Sequence, residues 1–192
     1  ITFKNNNKMS CDISRGRLEP CKDKVGGIAN VYFVNKGELG AISYNTTDTD
    51  VIETVAGTPS AYKFEVRGAS VLTETPTSSR ENGTSFIEQV LEMQLPRLSK
   101  EDHKTIKLLM YGSPHIIVED NNGNLFLAGL DYGMDVTGGS ITTGTGMGEY
   151  SGYTLTFTGM EKVPANFLFV SDPADLPVDT LTSVGFTVVV GS

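Results

Sequence analysis

A chain of 192 residues with 39% hydrophobic and 20% charged side chains is long enough for one domain with a buried core, and too short for two of ordinary size. Its formal charge of -8 and pI near 4.7 exclude a surface that grips nucleic acid by neutralising phosphates, because that mode needs clustered Lys and Arg. No run approaches the roughly 18 to 20 apolar residues of a bilayer span, and 21 Gly with 8 Pro point to many turns and therefore many short strands.

The opening "ITFKNNNKMSCDIS" lacks the apolar stretch of a secretory signal, so synthesis in the cytoplasm is expected. Met9 reads as a natural start, with the preceding eight residues left by an upstream start, by processing or by cloning. Residues 1–24 form an arm made locally basic by Lys4, Lys8, Arg15, Arg17, Lys22 and Lys24, and a partner is needed to hold it. Cys11 and Cys21 are too few for a disulfide scaffold, and a zinc site would need two further ligands. Two reduced cysteines are the preferred reading over a local disulfide or a metal.

From Gly27 the stretch "GIANVYFVNKGELGAISY" predicts a strand, a Gly-bearing turn and a second strand, and "VIETVA" continues the pattern. Tyr62, Phe64 and Val66 alternate with Lys63, Glu65 and Arg67 at the period of a strand with one wet face. The segment Ser85 to Leu95 fits either a helix or a strand. The turn signal Asn82-Gly83 before it and Pro96 behind it favour a strand that closes a hairpin with the Val66 to Thr75 region.

The clearest helix is "LSKEDHKTIKLLMYG". Ser99 caps it, Asp102 completes the box, Gly112 stops it, and Ile106, Leu109 and Met110 supply the expected buried stripe. Beyond it, "HIIVEDNNGNLFLAGL" predicts a hairpin around Asn122-Gly123, and "GYTLTFTGMEKVPANFLFV" with "VGFTVVV" supplies the last strands. Strands, one helix and strands again predict a mainly β domain over residues 25–192: two packed antiparallel sheets, as a sandwich or partly closed barrel, with one flanking α-helix.

The Gly-rich stretch from Gly138 to Gly148 raises the question of a phosphate-binding loop. It contains no Lys or Arg, Glu149 would repel phosphate, and Gly152 to Gly159 reads as a strand where a nucleotide loop requires a helix. A long flexible connection, or a loop that orders against a neighbouring subunit, is expected instead. Asp120, Asn122 and Asn124 open like a calcium loop, but Asp131 stands where the closing Glu should be, so a hairpin turn with Asn in a left-handed conformation is expected.

No G-x-S-x-G elbow is present, His103 falls on the charged face of the helix, His115 opens a strand, and Asp131 and Asp135 carry no diagnostic spacing. The expectation is a protein that is not an enzyme, with no catalytic, cofactor-binding or metal-ligating residues assigned.

Two segments, "CDISRGRLEPCKDKVGGIANVYFVN" and "GLDYGMDVTGGSITTGTGMGEYSGYTLTFTGMEKVPANFL", resemble virion structural proteins of Bacteroidetes-infecting, crAss-like bacteriophages, within them the tail tube and neck ring proteins. The resemblance implies a tail-tube-like β-domain whose copies assemble into a ring of six or, in a neck ring, twelve, through which DNA passes without specific binding. It implies neighbouring tail or neck proteins as partners, a place in the virion and no membrane association. It offers the hairpin Tyr62 to Leu95 and the loop Gly138 to Gly148 as the elements that order between subunits. An alternative is a carbohydrate-binding or adhesin-like sandwich, which a chain with no Trp and 8% aromatic residues serves poorly.

Overall fold

The computed structural model describes residues 16–18, 22–66, 69–170 and 177–191. Cys11, Cys21 and most of the arm assigned to residues 1–24 lie outside the described residues. The chain is mainly β, with 47% of residues in strands and 12% helical. In order it forms β1 (Ile28–Val34), β2 (Ile42–Tyr44), β3 (Val51–Val55), β4 (Ser60–Glu65), β5 (Val71–Ser79), β6 (Thr84–Pro96), α1 (Lys100–Tyr111), β7 (His115–Asp120), β8 (Leu125–Ala128), β9 (Asp135–Thr142), β10 (Gly152–Glu161), β11 (Asn166–Leu168), α2 (Pro177–Val184) and β12 (Thr187–Val190). These build an eight-stranded sheet in the order β12-β4-β1-β7-β8-β11-β3-β2 and a four-stranded sheet in the order β5-β6-β10-β9.

The two sheets pack face to face because alternate residues of each are apolar. Val31, Phe33, Ile116 and Val118 of the large sheet meet Leu91, Met93, Leu155 and Phe157 of the small one. Phe33 sits at the centre, with its ring 5.1 Å from Phe64 and 5.3 Å from Phe157. The opposite face of the large sheet, through Tyr32, Val34, Ile117 and Leu127, is covered by Leu181 and Val184 of α2 and by Phe186. The result is three layers, and β1 and β7 are buried on both faces where each carries a short apolar run, Val31 to Val34 and Ile116 to Val118.

Strand Ser85 to Leu95 closes a hairpin as the sequence indicates, but its partner is displaced from the expected Val66 to Thr75: β5 and β6 pair from Val71↔Glu92 to Ser79↔Thr84 across a turn at which Gly83 has φ 62°, while Tyr62 lies in β4 and Val66 N–H donates to Ala29 of the large sheet. The cap of α1 also holds, since Ser99 Oγ accepts from Asp102 N at 3.0 Å and Gly112 N–H closes on Leu108 at the far end. Ile106 is buried and Leu109 packs against the core, but Met110 is 62% exposed. Met110 sits one residue past Leu109, about 100° around the helix, and so turns away from the sheets.

Four details differ from expectation. A second helix, α2, lies between the last two expected strands and takes in Val184, the first residue of the stretch expected as the final strand; its Thr180, Leu181 and Val184 are buried. The large sheet carries two parallel pairings, β3 with β11 and β4 with β12, alongside its antiparallel ladders. The left-handed residue of the β7–β8 turn is Gly123 at φ 82°, not an asparagine. Gly138 to Thr142 belong to a strand, which shortens the glycine-rich connection to residues 143–151.

Candidate functional site

The sequence-singled polar groups do not converge on a reaction centre. His103 lies exposed on α1, whereas His115 is buried with its Nδ1 against the Gly129 carbonyl. Burial pushes His115 below the usual imidazole range, partly offset by that hydrogen bond. Asp120 is occupied by its own turn: its carboxylate accepts from Asn122 N at 2.9 Å and Asn124 N at 2.7 Å, and from both side-chain amides. Burial alone would raise its carboxyl; these four donors outweigh burial and hold it below the ordinary value. Asp131 pairs with Lys162 at 3.4 Å, and Asp135 accepts from Ser113 Oγ. Among the described residues no group of three His, Cys, Asp or Glu side chains is arranged to hold a metal ion. No helix there is long and apolar enough to cross a membrane.

What the fold does concentrate in one place is backbone hydrogen-bonding capacity and hydroxyl groups, on the four-stranded sheet. The register fixes which side chains share its outer face. Thr154 lies between Ser140 and Gln94, Thr156 between Gly138 and Glu92, and Thr158 is level with Val90. Val71, Thr73 and Thr75 complete the rows on β5, opposite Glu92, Val90 and Glu88. The strands β5, β6, β9 and β10 contain no Lys or Arg, and the acidic side chains of this face include Glu88 and Glu92. Cations appear only past strand ends, at Arg80, Arg97 and Lys162.

Both edges of this sheet are unpaired, since β5 bonds only β6 and β9 only β10. Neither edge is uniform. Pro76 in β5 has no N–H to donate, and β9 carries a bulge opposite Thr156 and Phe157. Both features are devices that keep an exposed edge from pairing indiscriminately.

The sheet is also sheared. Measured along β10, the centre of β9 falls at Leu155, that of β10 between Thr156 and Phe157, that of β6 at Thr158 and that of β5 at Met160. Each strand is displaced in the same direction as the last, so β9 overhangs one end and the β5–β6 hairpin the other.

Buried polar groups tie this sheet to the rest. Gln89, 1% exposed, accepts from Gly129 N at 2.8 Å and donates to Glu74 at 2.8 Å; Glu74 also accepts from Ala165 N at 2.7 Å. Glu161 accepts from Asp131 N and Tyr132 N at 3.0 and 2.9 Å. Sequence reasoning missed Gln89 and Glu161 because each occupies an inward position in an alternating strand, where polarity alone carries no signal for a partner distant in sequence. At the β5 edge a cleft of about 360 Å³ opens between the sheets, lined by Ile28, Val71, Leu72, Val118 and Phe126 with Glu74 at its margin. Across the sheet, the connection after β9 presents Met147 fully exposed and is braced by Glu149, which accepts from Thr145 N and Oγ1 at 2.6 Å.

No family model, no curated protein and no solved structure matches this chain.

Proposed function

We propose that the chain is a virion structural protein, the subunit of a ring or tube in a phage tail or neck whose lumen passes DNA. The observation that carries this reading is the sheared four-stranded sheet with two open edges and an outer face without cations. Strand direction alternates across β5-β6-β10-β9, so the edge strands run opposite ways. A neighbour placed head to tail therefore sets its β9 antiparallel to β5, and the alternation continues without a break around a ring.

Barrel closure requires strands tilted by about 35 to 45° with a net stagger accumulated around the ring, and the displacement of successive strand centres within a copy supplies stagger of that order. Six copies would contribute about 24 strands at about 4.8 Å spacing, closing at about 45 to 50 Å between opposite backbones; twelve would give about 90 to 100 Å. The smaller ring leaves room, after side chains, for a duplex about 20 Å across. A lumen of threonines with a few carboxylates and the apolar side chains of Val71, Phe86, Val90 and Met160 repels phosphate weakly and offers it no counterion to displace, which suits passage over retention.

The test is the oligomer. Electron microscopy and sedimentation at rising protein concentration are expected to show closed rings or stacked tubes. A monomer at all concentrations that binds glycan would overturn the reading in favour of a carbohydrate-binding sandwich.

A further inference from the structure

Resting on that reading, we infer that neighbouring copies join in one particular register, with Ile141 of one copy beside Leu72 of the next, and that Met147 of the first is carried over the cleft beside β5. Face parity limits the pairings available. Strand pairing preserves which residues face inward, and a slip of one residue would reverse them. The inward residues of β9 are Val136, Gly139 and Ile141, opposite the core residues Phe157, Leu155 and Tyr153; those of β5 include Leu72, Glu74 and Pro76, opposite Leu91, Gln89 and Ile87. Ile141 must therefore meet Ser70, Leu72, Glu74 or a position further by twos.

Tilt and polarity choose among these. Pairing with Ser70 gives a shear of about two residues per four-stranded copy and a tilt near 20°, below the range of closed barrels, whereas Leu72 gives about four residues and about 35°. Glu74 also falls near the accepted range, but it would place a half-exposed isoleucine against a carboxylate already engaged by Gln89 and Ala165. Leu72 remains, and it lines the apolar cleft.

An independent coincidence supports the choice. In this register Gly139 faces Glu74, Gly138 faces Thr75 and Val136 faces Pro76, so the bulge at Thr137 falls beside the proline. The one place where β9 breaks its ladder meets the one residue of β5 that has no N–H to offer. The same alignment sets Thr142 opposite Val71 and sends residues 143–151 beyond the start of β5. Exposed Met147, unbranched and adaptable, then lies where Ile28, Val71, Leu72 and Phe126 open between the sheets.

Cysteine pairs read the register directly, because a disulfide forms only between Cα atoms about 4.4 to 6.8 Å apart. In a Cys11→Ser, Cys21→Ser chain, Thr73→Cys with Ser140→Cys is expected to give an oxidised ladder of linked copies ending at the closed ring. Thr73→Cys with Thr142→Cys should give none. These positions lie on opposite edges of one sheet, three strand spacings or about 14 Å apart, so neither pair links within a copy. Met147→Asp is expected to raise the protein concentration needed for assembly about tenfold or more, with the circular dichroism of the subunit unchanged.

A ladder from the Thr142 pair instead would overturn the register. Rings that form without either cross-link, or that ignore Met147→Asp, would overturn this interface while leaving the ring intact. Absence of any assembly in the unsubstituted chain would remove the ring reading and the interface with it.

Discussion

The two sheets of this protein are made from the same residue types and have opposite fates. The eight-stranded sheet has short strands, buried faces on β1 and β7, and a carboxylate drawn into its interior, Glu119, which accepts from Tyr32 OH at 2.7 Å and from the Asn30 amide at 2.8 Å. The four-stranded sheet has the longest strands of the described chain, one face in solvent and both edges open, yet its strands carry no cation. Absence of Lys is expected of a buried sheet and unusual for a wet one, where edge lysines are the usual protection against strand addition. The large sheet is finished on both faces at its centre, and its own open edges, β12 and β2, are only four and three residues long. The small one is finished on its inner face only, and its open edges, β5 and β9, run nine and eight residues.

The sharpest contrast lies within single strands. Phe157 is fully buried between the sheets, so Phe157→Ala is expected to cost about 3 to 5 kcal/mol, enough to unfold a marginal domain. Its neighbour Thr156 faces outward, and Thr156→Ala is expected to stay within about 0.5 kcal/mol. Urea midpoints of monomeric subunit measure both. Comparable losses would show that the outer face is packed within the subunit and not reserved for anything else.

A step smaller is the cap of α1, which lies at the end of the seam between the sheets, where Tyr153 OH donates to the Ser99 carbonyl at 3.1 Å. Ser99→Ala is expected to cost about 0.5 to 2 kcal/mol through the lost bond to Asp102 N, without moving the sheets. The Tyr153 bond goes to main chain and survives the change. Intact near-ultraviolet circular dichroism with a lowered midpoint is the expected result.

Which features could be read from sequence follows the range of the interactions that make them. The β5–β6 hairpin was legible because Asn82-Gly83 and Pro96 punctuate it locally, and α1 because Ser99, Asp102 and Gly112 act within one turn of its ends. Helix α2 was not legible: "PVDTLTSV" is rich in β-branched residues and is helical because Leu181 and Val184 complete a core begun at Tyr32 and Ile117, more than 60 residues earlier. The parallel pairings were hidden for the same reason. In the glycine-rich stretch the strand was recognised from Gly152 onward but not at Gly138 to Thr142, whose sequence offers few side chains and whose strand state depends on Thr154 to Thr158 alongside. The sheared outline and the match of bulge to proline are properties of register, which no local pattern encodes.

Each sheet also contributes a carboxylate that responds to pH, with opposite sign. Asp120, in the turn of the large sheet, has its carboxyl held below the usual 3.8, so its stabilising effect is complete above that value and is lost as pH falls through the lowered one. Glu161, at the end of β10, is pushed above the usual 4.5 by burial, which the Tyr132 and Asp131 N–H groups only partly offset. The folded chain therefore binds that proton more tightly than the unfolded chain, and stability falls as pH rises from about 4.5 through the raised value, then levels. In Glu161→Gln the amide oxygen still accepts both N–H groups, and this segment of the pH profile is expected to flatten relative to the unsubstituted chain. An unchanged slope would place the titration elsewhere.

The smallest expected effect on the subunit is the one that bears most on the outer face. Thr154→Lys and Thr156→Lys replace solvated hydroxyls of two adjacent rows, so folding stability is expected to change by no more than about 0.5 kcal/mol per site. The electrostatic consequence is larger than the structural one. The unsubstituted assembly is expected to show no duplex affinity at physiological salt, since phosphate binding is driven by counterions released from clustered cations and this face supplies none. In a six-membered ring the double substitution would place about a dozen ammonium groups in two bands, and affinity should appear that falls steeply with salt. Filter binding across a salt series measures it, with Thr154→Gln, Thr156→Gln as the uncharged control of similar length. Salt-sensitive binding by the assembled lysine variant, absent from the control and from the monomeric variant, would place the threonine face on the lumen. Equal binding by monomer and assembly would place that face on the outside of the ring, and the contrast between the finished and unfinished sheet would need a different partner to explain it.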